Sequence, residues 1–207
     1  PDAIYDGENI RVYYLRLDRI DVALSKDGIT WVESPVTIQG LPEGEGYVDP
    51  DIVVLPDGRY RMYFYSPPIT PGDPALLPGP HKIRSAISDD GFSFQVEEGT
   101  RYEAEWITDP DVVWMDNVWR MFLSTKDQKI LSASSTDGLN FTSEGELPLS
   151  GIATSTLEVQ GGYRMYYHTE LFPGSPPEIC SAFSADGVNW TEEGTVLSEG
   201  EPGSLDE

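Results

Sequence analysis

VDPDIVVLPDGRYRMYFYS, from Val48 to Ser66, and IRSAISDDGFSF, from Ile83 to Phe94, set out the pattern on which the fold turns. DIVVL is a short β-branched run, PDG has turn chemistry, YRMYFYS is an aromatic strand and IRSAIS alternates apolar with small residues. An Asp-Gly pair then turns the chain into a last strand that opens on Phe94. The stretch reads as an antiparallel meander of four strands.

The same order of marks returns along the chain. S-x-D-G-x-x-aromatic occurs as SKDGITW from Ser25, SDDGFSF from Ser88, STDGLNF from Ser135 and SADGVNW from Ser184, with serines 63, 47 and 49 residues apart. Each is preceded by an aromatic strand carrying an arginine: IRVYYLR at Ile10, YRMYFYS at Tyr60, WRMFLST at Trp119 and YRMYYHT at Tyr163. Four strands in 40 to 50 residues is the period and content of a β-propeller blade. The reading is all-β: one propeller domain over 1–207, with four four-stranded blades at about 1–48, 49–107, 108–151 and 152–207. Helical periodicity is absent, and 17 prolines and 20 glycines punctuate the chain too often for long helices. The first spacing is long because PPITPGDPALLPGPH, 67–81, is inserted as a surface loop at one mouth of the channel. Writing the chain's end before its start, LDE then PDAIYDG, repeats YVD then PDIVVLPDG. A closed four-bladed ring is therefore expected if the chain is whole, and a five-bladed one if it is a fragment.

Thirty-six acidic against 13 basic residues leave a net charge of -23, which repels phosphate backbones and anionic lipid surfaces. Nucleic acid and membrane are excluded as expected partners, and no apolar run reaches the length of a membrane helix. Cys180 is the only cysteine, in an apolar alternating stretch where a buried inert thiol is expected. His81 and His168 lack the spacing of a helical zinc site, so no metal site and no cofactor is expected from these residues.

What recurs in every unit solves a packing problem that every blade shares. Asp27, Asp90, Asp137 and Asp186 precede glycine at a turn, where the carboxylate accepts backbone N–H groups and glycine takes positive φ. Trp31, Phe94, Phe141 and Trp190 are expected between neighbouring blades, and Arg11, Arg61, Arg120 and Arg164 are expected to pair with a turn carboxylate or stack on a ring. What differs between units is the better functional candidate. Aligned on the arginine, the strand-opening pair is Pro1-Asp2, Pro50-Asp51 and Pro110-Asp111 but Thr154-Ser155 in unit four; the residue before it is Asp49 or Asp109 but Ala153 in unit four. First strands line a propeller's channel, so these carboxylates converge. There they raise each other's pKa and divide into acid and base, or else hold water or a cation.

VDPDIVVLPDGRYRMYFYS followed by IRSAISDDGFSF resembles the blades of the glycoside hydrolase family 43 and 32 superfamily, which includes arabinanases, xylosidases, invertases and levansucrases. The likeness covers nearly the whole chain. The Asp box of sialidases is also similar but has one more residue between Asp and Gly. The resemblance implies a five-bladed propeller that cleaves or transfers glycosyl groups, and an extracellular or periplasmic location. It implies Asp49 as base or nucleophile and Asp111 as the carboxylate that adjusts the acid's pKa, with Asp2, Asp51 and Asp109 on sugar hydroxyls and Trp106 and Trp114 as stacking platforms. The superfamily's third group, a glutamate acid, is expected on the next innermost strand, where this chain has Ala153, Thr154 and Ser155, with Glu158 beyond them. Two functions follow as expectations. One is a glycosidase acting on a carbohydrate; the other is a non-catalytic carbohydrate-binding or protein-interaction propeller with a carboxylate-lined channel.

Overall fold

The computed structural model describes residues 1–17, 19–69, 79–169 and 178–198. These form four sheets in chain order, antiparallel but for one short parallel pair in the second. The first is β1 (Asp2–Tyr5), β2 (Ile10–Arg16), β3 (Arg19–Ser25) and β4 (Val32–Pro35). The second contains β5 (Thr37–Gln39), β6 (Val48–Val54), β7 (Tyr60–Tyr65), β8 (His81–Ser88), β9 (Ser93–Val96) and β10 (Tyr102–Ala104). The third is β11 (Ile107–Met115), β12 (Val118–Thr125), β13 (Lys129–Ser135) and β14 (Thr142–Ser150), and the fourth is β15 (Ile152–Val159), β16 (Gly162–Thr169), β17 (Glu178–Ser184) and β18 (Thr191–Ser198). Each is a propeller blade whose first strand, β1, β6, β11 or β15, lines the central channel. The second sheet exceeds four strands because β9 and β10 share the edge of the long β8, while β5 adds in parallel to β9. TIQ is too short for its periodicity to announce β5.

Burial patterns of the second strands show which blades have neighbours on both faces. Every residue of β7 is buried, because one face meets blade one and the other blade three. β16 alternates between partly and fully buried, with Tyr163, Met165 and Tyr167 packed toward blade three and Arg164, Tyr166 and His168 on the other face. Three apolar cores result. They lie between blades one and two around Tyr13, Met62 and Phe94, between two and three around Tyr63, Val112 and Met121, and between three and four around Phe122, Met165 and Trp190. Among the described residues, no core joins blade four to blade one. The expected pairing of the chain's two ends lies outside the described residues, as do 70–78 of the inserted loop.

The Ser-x-Asp-Gly turns hold the blades to one another. In each, the aspartate Oδ1 accepts the serine hydroxyl and two backbone N–H groups, as Asp90 does from Ser88, Phe92 and Ser93. The glycine is left-handed, with φ of 73° at Gly28, 74° at Gly91, 70° at Gly138 and 68° at Gly187. Onto the turns of blades two, three and four the preceding blade lays its arginine strand. Tyr13 donates its hydroxyl to the Gly91 carbonyl at 3.0 Å and Tyr63 to the Gly138 carbonyl at 2.8 Å, with Arg11 bonded to the Asp90 carbonyl. The aromatic after each turn meets the same strand edge to face: Phe94 with Tyr13, Phe141 with Tyr63 and Trp190 with Phe122. Trp31, the fourth member, is 39% exposed, and among the described residues no blade's arginine strand lies against it. The arginines depart from the expected pairing in one respect. Arg61, Arg120 and Arg164 meet Glu97, Glu144 and Glu193 of their own blade's outer edge, not the Asp-Gly carboxylates. Only Arg11 pairs with a turn carboxylate, Asp6, and it also stacks over Tyr60.

Candidate active site at the channel mouth

Three innermost strands open with the same irregularity. The register skips a residue between Val48 and Asp51, between Thr108 and Asp111, and between Ile152 and Ser155. At each skip one residue is left-handed: Asp49 at φ 53°, Asp109 at 50° and Ala153 at 51°. That conformation costs an L-residue about 1 to 2 kcal/mol, and such costs concentrate where a bulge re-aims a side chain. Here the three residues line one cavity of about 290 Å3 at the channel mouth, together with Pro1, Pro50, Pro110, Thr154 and Ser155. Two of the three are carboxylates, brought together from blades two and three.

The surroundings fix these positions. Thr108 donates its hydroxyl to Asp109 Oδ2 at 2.9 Å, and the Ala153 N–H donates to Ser124 Oγ at 2.8 Å. Asp49 lies beside Tyr65, whose phenol burial and the Asp49 charge push up to about 12. Tyr65 stacks on His81 with ring centres 4.7 Å apart, and His81 in turn lies 5.6 Å from Trp106. Neither Tyr65 nor His81 stands out in the sequence, because both sit in strands that look alike in every unit.

One layer deeper, the second aspartate of each pair has a different environment. Asp2 accepts the Ile52 N–H at 2.8 Å, and Asp51 accepts the Val112 N–H at 3.2 Å. Asp111 accepts the Thr156 N–H at 3.3 Å and the Thr156 hydroxyl at 2.6 Å. Each carboxylate thus ties its blade to the equivalent point of the next blade's first strand. Burial raises all three from the ordinary aspartate value, Asp111 to about 6, against the pull of Thr156; the neighbouring Asp2 and Asp111 charges push Asp51 further up. These residues line an inner cavity of about 420 Å3. Trp114 stands at its far end, five residues beyond Asp109 along β11, roughly 16 Å away at ~3.3 Å per residue. It is 47% exposed, tilts against Trp119 and lines the inner cavity, while neither it nor Trp106 is among the described residues that line the mouth. Glu158 is exposed and pairs in register with Tyr163, three residues past Ser155 and away from the mouth. Among the described residues, no cluster of three or more His, Cys, Asp or Glu has the arrangement of a metal site.

The chain superposes on the fructofuranosidase of Schwanniomyces occidentalis complexed with fructose, with a TM-score of 0.75 at 18% identity, over 95% of this chain and 46% of that one. A GH43 β-1,3-galactosidase gives 0.72 at 17% identity, over 94% and 45%. The fold is that of family 43 and 32 glycoside hydrolases. A GH43 endo-arabinanase from Bacillus licheniformis superposes at 0.69 and 16% identity, over 98% of this chain and 80% of its own. These hydrolases are five-bladed propellers, so four blades match part of a larger ring, and the chain spans under half the length of the first two. No protein-family profile matches the sequence, and no curated protein matches it.

Proposed function

We propose that this glycoside-hydrolase-like propeller takes a carbohydrate at the mouth lined by Asp49 and Asp109, with Asp49 as base or nucleophile. The observation that carries the reading is the pair of left-handed carboxylates held at equivalent bulges around one cavity. Two such groups from adjacent blades suit the two faces of a sugar ring, with Asp49 acting on the anomeric carbon or its water and Asp109 on a hydroxyl. Trp106, three residues before Asp109, is the ring on which this reading stacks the sugar. Asp111 acts from behind. It is bonded to Thr156 on the strand that brings Ala153 to the mouth, so its charge sets the proton affinity of any group placed there. Asp2 and Asp51 complete this inner layer, within reach of a sugar that enters the channel.

At the third equivalent position the chain has Ala153, which carries no proton to a leaving oxygen. General acid catalysis contributes about a hundredfold or more, so substrates whose leaving group needs no proton should be turned over far faster than natural glycosides. Dinitrophenyl glycosides compared with methyl glycosides of the same sugars test this: turnover confined to the former supports the reading, and equal rates on both contradict the assignment of Ala153. The same alanine favours a second reading, a carbohydrate-binding propeller without turnover. Binding of free sugars with no release of dinitrophenol would select it.

A further inference from the structure

We infer that Glu45 is a positioning residue for Asp49: paired with Arg84, it fixes the segment that enters β6 and so sets where the Asp49 carboxylate stands in the mouth. This rests on the reading of the mouth given above. Glu45 lies four residues before Asp49, and its side chain is 17% exposed. Arg84 of β8 grips it with two nitrogens, Nε donating to Oε2 and Nη2 to Oε1 at 2.9 Å. Lys82, on the same face of β8, donates to Oε1 at 3.3 Å. The Ser66 hydroxyl oxygen lies 3.0 Å from both Glu45 Oε2 and the Gly46 carbonyl, so its one proton goes to one or the other. Ser66 directly follows Tyr65, the ring beside Asp49, and Val48 pairs with Tyr65 in register. One carboxylate therefore ties the chain approaching Asp49 to the strand that flanks it.

The pair is peculiar to the blade that delivers Asp49. With the third strands aligned on the serines of the Asp-Gly turns, Arg84 is replaced by Asp21, Leu131 and Cys180. Four residues before the other two left-handed positions stand Glu105 and Leu149. Among the described residues, no other blade joins these two places by an ion pair, so the packing problem that all blades share does not require one. A left-handed aspartate keeps its direction only where its surroundings over-determine it. Glu45 and Arg84 have the means to do so. Arg84 is buried, and its Nη1 donates to the Gly99 carbonyl at 2.9 Å, so the guanidinium is itself fixed. It holds the Glu45 carboxyl down at about 2, which keeps the pair charged at any ordinary working pH. Backbone bonds from Gly46 to the Pro67 carbonyl at 2.7 Å and from Ile69 to the Gly44 carbonyl at 2.8 Å fasten the same segment to the start of the inserted loop.

The test measures dinitrophenol release from dinitrophenyl arabinoside, xyloside and galactoside by the native chain, Glu45→Gln, Arg84→Gln and Tyr63→Phe, each with its urea midpoint. Tyr63→Phe loosens the contact between blades two and three away from the mouth and serves as the control for lost stability. On a substrate that the native chain turns over, Glu45→Gln and Arg84→Gln should each lower kcat roughly tenfold with KM changed less than about twofold. Tyr63→Phe should keep kcat within about twofold. If Glu45→Gln also keeps kcat within twofold, or if Tyr63→Phe loses as much as it does, the positioning role is wrong while the mouth reading stands. If the native chain releases no dinitrophenol from any of the three, the assignment of Asp49 fails and takes this role with it. A Glu45→Gln chain with no cooperative urea transition would mark Glu45 as a residue of the fold alone and overturn the inference.

Discussion

Ala153 occupies the third of the three equivalent bulge positions, where its sisters are Asp49 and Asp109, and it does so at φ 51°, a conformation an alanine adopts at a cost. Ala153→Gly should therefore raise stability by up to about 1 kcal/mol, measured as a higher urea midpoint at unchanged slope. Ala153→Glu tests the chemistry at the same position. Aspartate tolerates the left-handed backbone at two sister sites, so the variant should fold, and hydrolysis of methyl glycosides should rise by a hundredfold or more. Unchanged rates would mean that the leaving oxygen lies elsewhere. The sequence showed that units two and three differ from unit four at this position and its neighbour. It did not show that the two aspartates of each pair part company. Asp49 and Asp109 reach the mouth, while Asp51 and Asp111 bond across to the next blade, because the bulge that turns one outward and the other inward is a backbone event without a residue type of its own.

At the scale of the elements, the turn and the strand laid upon it behave as one device used three times. Tyr63→Phe removes a buried hydroxyl from the Gly138 carbonyl and should destabilise by about 1 kcal/mol. Tyr166, its equivalent on the face of blade four that no other described blade covers, should be replaceable by Phe within about 0.5 kcal/mol. Glycine makes the same point. An added Cβ at Gly138 would sit 2.9 Å from Arg61 and 3.0 Å from the Tyr63 hydroxyl, whereas at Gly28 it meets only Ile10 at 3.7 Å. Gly138→Ala should therefore cost more than Gly28→Ala, which incurs only the penalty of about 1 kcal/mol or more for its φ; thermal melts of the two variants check the order. These turns were legible in the sequence, down to the serine, because side chain and backbone within a few residues determine them. The partners Glu97, Glu144 and Glu193 were not, since each meets its arginine from the outer edge of a meander, 24 to 36 residues away.

Over the whole molecule, two sets of carboxylates oppose each other in pH dependence. Asp2, Asp51 and Asp111 are raised, so the stability they confer is full below about pH 4 and is lost as pH rises, for Asp111 through about 6. Glu45, held to about 2 by Arg84, and Asp27, held to about 2 by the N–H groups of Thr30 and Ile29, confer stability that is present above about pH 4 and lost as pH falls toward 2. Maximum stability should thus lie near pH 4 to 5, and the net charge of -23 adds repulsion above it. The melting temperature should fall by roughly 5 to 10 °C between pH 5 and pH 8, and Asp111→Asn, a neutral isostere, should flatten that fall. The blade count was also readable in outline. The repeat alone, however, could not tell a closed ring of four from part of a ring of five, because closure depends on faces and not on marks. Among the described residues, blade four presents Arg164 and Tyr166 with no Asp-Gly turn against them, and the Gly28 turn of blade one meets no arginine strand, which is consistent with part of a larger propeller. The central claim, that the mouth of this ring acts on sugars through Asp49, is tested most directly by the rate of dinitrophenol release from a panel of dinitrophenyl glycosides, native against Asp49→Asn. The account predicts turnover of at least one substrate, reduced a hundredfold or more in a variant that melts within a few degrees of the native chain. Turnover that survives the substitution, or none from the native chain on any member of the panel, would contradict it.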